Sequence, residues 1–345
     1  MNAVCKAPTI DFYTYPPVGG DDWRYTFAVA KVRALETLLL SRATLVDLVN
    51  ASDFTAAIDM LSSTEYALPS GTKDFDQVEQ MLLQKRSDVR DLFVSLMLDE
   101  PLVQLLKEKD DFANLRLALR RKLADKPVGV DYSDNGSIPA EEFEQVFEQE
   151  NYSTLPMYMQ EAIEQAVLAY YENKNVRDID FALDAAQARY KISMACQLES
   201  EFLEGLFRIQ VDILNIKTML RLKFTESELR DVFVEGGYIE IERLKHGLDV
   251  GYEAVADLFF ATPYYEMVDS GIDYLIANKS FLKLDAEADK YLAGFLKQTQ
   301  QITAGPQPVI AYLLTKEGEI RTVRLILTSK KNNLQTQLIL DRIGE

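Results

Sequence analysis

Apolar residues recur along this chain at helical spacing. From Tyr25 to Leu40, the positions Ala28, Val32, Leu35 and Leu39 step by four, three and four residues, which places them on one helix face. Phe54, Ile58 and Leu61 repeat the pattern behind Asp53, a suitable N-cap. Helices are expected over 74–98 and 101–122, the second carrying Phe112, Leu115 and Leu119 on one stripe. Phe143, Val146 and Phe147 follow Pro139, and Met159, Ile163, Val167 and Tyr170 follow Pro156. One long helical segment is expected over 178–223, where Leu206, Ile209, Ile213, Ile216 and Leu220 form a heptad-like seam. Period-2 alternation is scarce, so the pattern predicts an all-α fold.

Breakers divide the pattern. Pro16-Pro17 and Gly19-Gly20 make the first 23 residues irregular, and turn formers gather over 126–138. Thr225-Glu226-Ser227-Glu228 reads as a capping box opening a further helix. These two places set expected domains of 1–130, 131–225 and 226–345, a division that 345 residues allow.

The most informative feature is a pattern present three times: acid-x-x-Asn/Thr-apolar-basic-x-x-Leu-x-x-Lys. It runs from Asp111 through Asn114, Arg116 and Leu119 to Lys122. It returns from Asp212 through Asn215, Lys217 and Leu220 to Lys223, and again from Glu319 through Thr322, Arg324 and Leu327 to Lys330. The central bases lie 101 and then 107 residues apart. Each unit is therefore of domain size, longer than a solenoid repeat of roughly 20–50 residues. Arg116 with Arg120, and Lys217 with Arg221, form basic pairs one turn apart. In the third copy Arg324 stands without its second base, because Thr328 takes that position. Two readings stay open. The bases pair with carboxylates of their own domain, or three related helices line a pseudo-threefold cavity and aim Arg116, Arg120, Lys217, Arg221 and Arg324 at a partner on its axis.

Charge narrows the partners. The net formal charge is −18, which opposes nucleic-acid binding and direct contact with an anionic lipid surface. No run approaches the roughly 20 apolar residues of a membrane-spanning helix. Two cysteines, Cys5 and Cys196, are too few for a disulfide framework, and a reducing cytoplasm is the simpler reading.

Three stretches resemble the C (eukaryotic d) subunit family of V/A-type rotary ATPases, on the bacterial and archaeal side. They are the opening helix Tyr25–Leu39, the helix Asp212–Arg221, and the C-terminal run Pro308–Leu327. Together they span the chain. The resemblance implies three similar helical domains arranged as a pseudo-threefold funnel. One end would receive the central-stalk subunits and the other would rest on the cytoplasmic face of the proteolipid rotor ring. It implies a non-catalytic part that turns with the rotor, transmits torque for ATP-driven proton or sodium transport, and needs no cofactor. It places the chain in the cytoplasm, held at the membrane through the complex. Thr322 and Thr328 depart from the repeated pattern and argue against equal use of the three domains. The rival reading is a soluble helical scaffold or adaptor unrelated to rotary ATPases.

Catalytic chemistry is sparse. Ser70-Gly71-Thr72-Lys73 has the wrong order for a phosphate-binding loop. His246 is the single histidine, which excludes His-rich metal sites and disfavours a His-based triad; beside Gly247 it reads as a solvated or satisfied polar residue in a turn. Asp285, Glu287 and Asp289 read as a solvated face, and Glu141-Glu142 as first-turn acids. The pairs Tyr170-Tyr171 and Tyr264-Tyr265 read either as partner-facing anchors or, the favoured reading, as one member in the core and the other at the surface.

Overall fold

The computed structural model describes residues 15–69, 74–124 and 132–344. Ser70–Lys73 and Cys5 lie outside this range, as does the first half of the expected connection at 126–138. Among the described residues there are fifteen α-helices, five short 3-10 turns and no β-strand, as the periodicity predicts. The chain divides into two compact units, one spanning Asp99–Gly251 and the other combining Val18–Leu98 with the chain from Tyr252 onward.

The first unit contains α5 (Glu100–Ala124), α6 (Ala140–Gln149), α7 (Met157–Asn173), α8 (Val176–Gln197), α9 (Glu201–Phe224) and α10 (Ile241–Asp249). Its core joins Phe112, Leu115 and Leu119 of α5 to Phe143, Val146 and Phe147 of α6. Met159 and Ile163 of α7 and Ile179 and Leu183 of α8 complete it. Each large apolar side chain buried here contributes about 1.5–3 kcal/mol. Glu141 and Glu142 occupy the first turn of α6, where carboxylates favour the helix dipole.

The segment 178–223 is two helices instead of one. After α8, Glu199 takes a left-handed conformation (φ 50°), and the Ser200 amide reaches back to the Ala195 carbonyl. Ser200 then caps α9 by accepting from the Leu203 amide. The apolar seam continues on α9, where Leu206, Ile209, Ile213, Ile216 and Leu220 are all buried. Thr225 ends α9 instead of opening a helix: its hydroxyl donates to the Arg221 and Leu222 carbonyls, and the next helix begins at Ile241. His246 is exposed, the solvated one of its two expected readings, but it lies in the last turn of α10, not in a loop. Gly247 lets α10 approach α9, since an added Cβ would overlap the Met219 sulfur. Cys196 is disulfide-bonded, against the expectation of unlinked thiols.

The second unit contains α1 (Thr26–Glu36), α2 (Arg42–Asn50), α3 (Phe54–Met60) and α4 (Phe75–Leu96) from the N-terminal part. From the C-terminal part come α11 (Tyr252–Val255), α12 (Tyr265–Asn278), α13 (Leu282–Lys297), α14 (Pro306–Lys331) and α15 (Thr336–Ile343). Asp53 caps α3 as anticipated, accepting from the Ala56 amide at 2.9 Å. α14 packs against α1, α2, α3 and α4, burying Ile310, Ile320, Val323, Ile326 and Leu327. The N-terminal and C-terminal parts of the sequence thus share one core. Tyr264 is fully buried and Tyr265 half-buried, whereas Tyr171 of the first unit is exposed.

Candidate functional site

The three copies of the repeated pattern fall on α5, α9 and α14, and their polar residues perform matching tasks. In α5, the buried Asp111 carboxylate accepts from the Ser137 amide at 2.7 Å and from the Tyr158 hydroxyl at 2.8 Å. In α9, the buried Asp212 accepts from the amides of Tyr238 and Ile239 at 3.1 and 2.9 Å. In α14, Glu319 accepts from the Leu40 amide at 2.5 Å and from the Tyr66 hydroxyl at 2.7 Å. In every copy the acid holds the backbone just ahead of a short helix: α6, α10 and α2 respectively. Burial, reinforced by the neighbouring carboxylates, pushes the Tyr158 and Tyr66 phenols well above their usual range, which keeps them donors.

The asparagines add a second clasp. Asn114 donates to the Ser133 carbonyl at 2.9 Å and accepts from its amide at 2.8 Å. Asn215 does the same with Val234, both bonds at 2.8 Å. The sequence separation is 19 residues in both cases. A side-chain amide here replaces the pairing that a neighbouring strand would give the backbone. The departure at Thr322 has a direct consequence: its hydroxyl donates to Gly318 of its own helix at 3.0 Å, so it makes no such clasp.

The final lysines close the pattern. Lys122 donates to the Phe147 carbonyl at 2.9 Å and pairs with Glu150 at 2.8 Å. Lys223 donates to the Leu248 carbonyl at 3.2 Å and to that of Val250. Lys330 donates to the Ala51 carbonyl at 2.8 Å. Each ammonium thus sits at the C-terminal end of the short helix, where free carbonyls and the helix dipole favour a cation by about 0.3–1 kcal/mol.

Glycines complete two of the three latches. A Cβ at Gly136 would overlap Asp111 Oδ1, and one at Gly237 would overlap Asp212 Oδ1. Each glycine follows its aspartate by 25 residues, a spacing that was open to sequence reasoning and missed by it. In the third copy the acid is Glu319, one methylene longer, and Leu39 precedes the amide that it holds.

The five bases expected to face a partner are distributed differently. Arg116 pairs with Asp184 and lies 3.2 Å from Asp180, both on α8. Arg120 donates to Asp180, with Nε at 3.1 Å. Arg324 pairs with Glu79 of α4 at 2.9 Å. Lys217 is half-buried and Arg221 is exposed on α9. Carboxylates of the same unit therefore balance Arg116, Arg120 and Arg324. Burial keeps the Asp184 carboxyl above its ordinary range, with Arg116 acting in the opposite direction.

Other candidate chemistry resolves into ion pairs. Glu287 binds Lys283 and Lys290, and Asp289 binds Arg342. Among the described residues, no group of carboxylates, His or Cys could hold a metal ion, and no helix is long and apolar enough to cross a membrane. A shallow pocket between α8 and α9 is lined by Asp184, Lys191, Phe207 and Gln210. There Lys191 donates to Gln210 at 2.7 Å and stands 3.7 Å from the buried Glu108. All three latches have a carboxylate and an ammonium group gripping backbone, and those of α5 and α9 add a side-chain amide.

Residues 28–342 match the ATP synthase (C/AC39) subunit family. The C subunit of the A-type ATP synthase of Methanocaldococcus jannaschii is 21% identical, covering 91% of this chain and 85% of that protein. The corresponding protein of Methanococcoides burtonii is 21% identical, covering 94% and 95%. The C subunit of the V-type sodium ATPase of Enterococcus hirae is 22% identical, covering 91% and 96%.

Proposed function

Because the chain belongs to the ATP synthase (C/AC39) subunit family, whose members are non-catalytic subunits of the rotary ATPase, we propose that it is the rotor part joining central stalk to proteolipid ring. It turns with the rotor and carries torque between ATP hydrolysis and the movement of protons or sodium. The observation that carries this reading is the match from residue 28 to residue 342, together with relatives named as the C subunit of both A-type and V-type machines. The same match sets aside an adaptor unrelated to rotary ATPases.

The latches support a mechanical role. A part that transmits torque must resist shear, and α5, α9 and α14 are each tied to a short helix by an acid at one end and a lysine at the other. Breaking such a unit means stripping several buried polar groups of their partners at once, at about 1–3 kcal/mol each. Three such units are the proposed organisation, with a motif helix at the head of each and α14 completing the third against α2. A pseudo-threefold funnel, open to the stalk at one end, is the arrangement that this organisation serves. Of the five motif bases, Arg221 is the exposed one, and with Lys217 one turn away it forms the pair that meets the stalk in this reading. The working location is the cytoplasmic face of the membrane, reached through the ring.

The test is recovery of a tagged chain from detergent-solubilised membranes. Stalk subunits and proteolipid should accompany it. Glu at both 217 and 221 should reduce stalk recovery while helicity stays unchanged. Recovery of the chain without either component would refute the rotor reading; undiminished stalk capture by the double variant would refute only the role of these two bases.

A further inference from the structure

α1 carries a ridge of apolar side chains on its solvent side that no other described residue covers. Trp23 is 67% exposed, Phe27 76% and Leu38 50%, and Ala30 and Ala34 between them are exposed as well. Steps of four, three, four and four residues keep all five on one face, from the turn before the helix to the turn after it. At 1.5 Å per residue the ridge is about 22 Å long. The opposite face already buries Ala28, Val29 and Val32, so α1 is apolar on two sides, more than its own core requires. Exposed aromatics joined into a continuous apolar strip mark a protein-docking surface. Its shape is specific: large side chains stand at both ends, and the two alanines leave a flat centre that another backbone can approach.

The charges along the ridge name the occupant. Lys31 borders it, is exposed, and forms no ion pair among the described residues. The only acid in α1 is Glu36, held by Arg33 at 2.8 Å, and Arg24 is balanced by Asp22 at 2.7 Å. Between Phe27 and Leu38, Lys31 is therefore the one charge with no ion-pair partner among the described residues. We propose that it docks an amphipathic helix of another protein. That helix is small and apolar along its contact face and carries Asp or Glu on the flank that meets Lys31. A second copy of this chain fits poorly, because antiparallel pairing of two ridges brings both Lys31 ammonium groups to the centre. An anionic bilayer fits poorly too. Asp21 and Asp22 stand at the Trp23 end, and Asp21 is fixed there by the amides of Thr303 and Ala304 at 2.8 and 3.2 Å.

Trp23 is the single tryptophan of the chain, so its fluorescence reports the ridge directly. The probes are two synthetic helical peptides with Leu and Ala along one face, one flanked by Glu and the other by Lys. The Glu peptide should shift Trp23 emission to shorter wavelength and protect it from acrylamide; the Lys peptide should not. Lys31→Glu should weaken the Glu peptide at least about fivefold and admit the Lys peptide. Phe27→Ala should weaken the Glu peptide as well. Circular dichroism should match wild type for both variants, and the peptide charge swap on the unaltered protein serves as a test free of any folding effect. Equal shifts from both peptides, or none, would overturn the proposal. So would a shift on raising protein concentration alone, which would indicate self-association, or one on phosphatidylcholine–phosphatidylserine vesicles, which would indicate lipid.

Discussion

Asn215→Ala removes both hydrogen bonds that hold Val234 to α9. The two bonds are 2.8 Å long, and Asn215 and Val234 are 1% and 4% exposed. Water cannot replace the lost partner at that depth. An amide and a carbonyl are stranded, at about 1–3 kcal/mol each, so the expected loss is about 2–6 kcal/mol. Asn114→Ala removes the equivalent pair, but Ser133 is half-exposed and water can reach it. There the expected loss is about 1–2 kcal/mol. Urea unfolding followed by far-ultraviolet circular dichroism measures both, and amide exchange at Val234 should quicken only in the first variant. If Asn215→Ala cost less than about 0.5 kcal/mol, or if Asn114→Ala cost more than Asn215→Ala, the latch would not bear the load assigned to it.

Gly237→Ala should destabilise the first unit by about 1–3 kcal/mol, since the new methyl overlaps the Asp212 carboxylate; a neutral result in urea would mean that the loop yields freely. Lys330→Met should cost about 1 kcal/mol and speed amide exchange near Ala51 with little effect on α10, readable by exchange mass spectrometry. Burial raises the Glu108 carboxyl above its ordinary value of 4.5, with Lys191 opposing. The folded state therefore holds this proton at pH values where the unfolded chain has lost it. Stability should fall as pH rises from about 4.5 through the raised folded-state value. Glu108→Gln should flatten that decline in a urea series across pH, and an unchanged slope would assign the decline to other groups.

Helical content was legible because apolar spacing reports one face at a time, and α3, α6 and the α9 seam fell where that spacing put them. The break at Glu199 was not legible, because no glycine or proline marks it; a glutamate adopts the left-handed turn and Ser200 restarts the helix. Thr225-Glu226-Ser227-Glu228 has the composition of a start but lies at an end, since its threonine finds helix carbonyls behind it before any amide ahead. The repeated pattern was visible, whereas its purpose was not. Its backbone partners for α5 and α9 lie 19–27 residues downstream, and Tyr158 lies 47 residues beyond Asp111. Those for α14 lie at Leu40, Ala51 and Tyr66, more than 250 residues upstream. No local pattern can join positions so far apart. The carboxylates Asp180 and Asp184 similarly gave no sign in the sequence that they face Arg116 and Arg120.

Coupling is the property that a rotor part must confer. Sealed vesicles carrying the complete complex can be stripped of this chain and then assayed together for ATP hydrolysis and ion uptake. Hydrolysis by the catalytic head should continue while ATP-driven uptake is lost, and adding the purified chain back should restore uptake. Uptake that persists in vesicles shown to lack the chain would contradict the place between stalk and ring proposed for it.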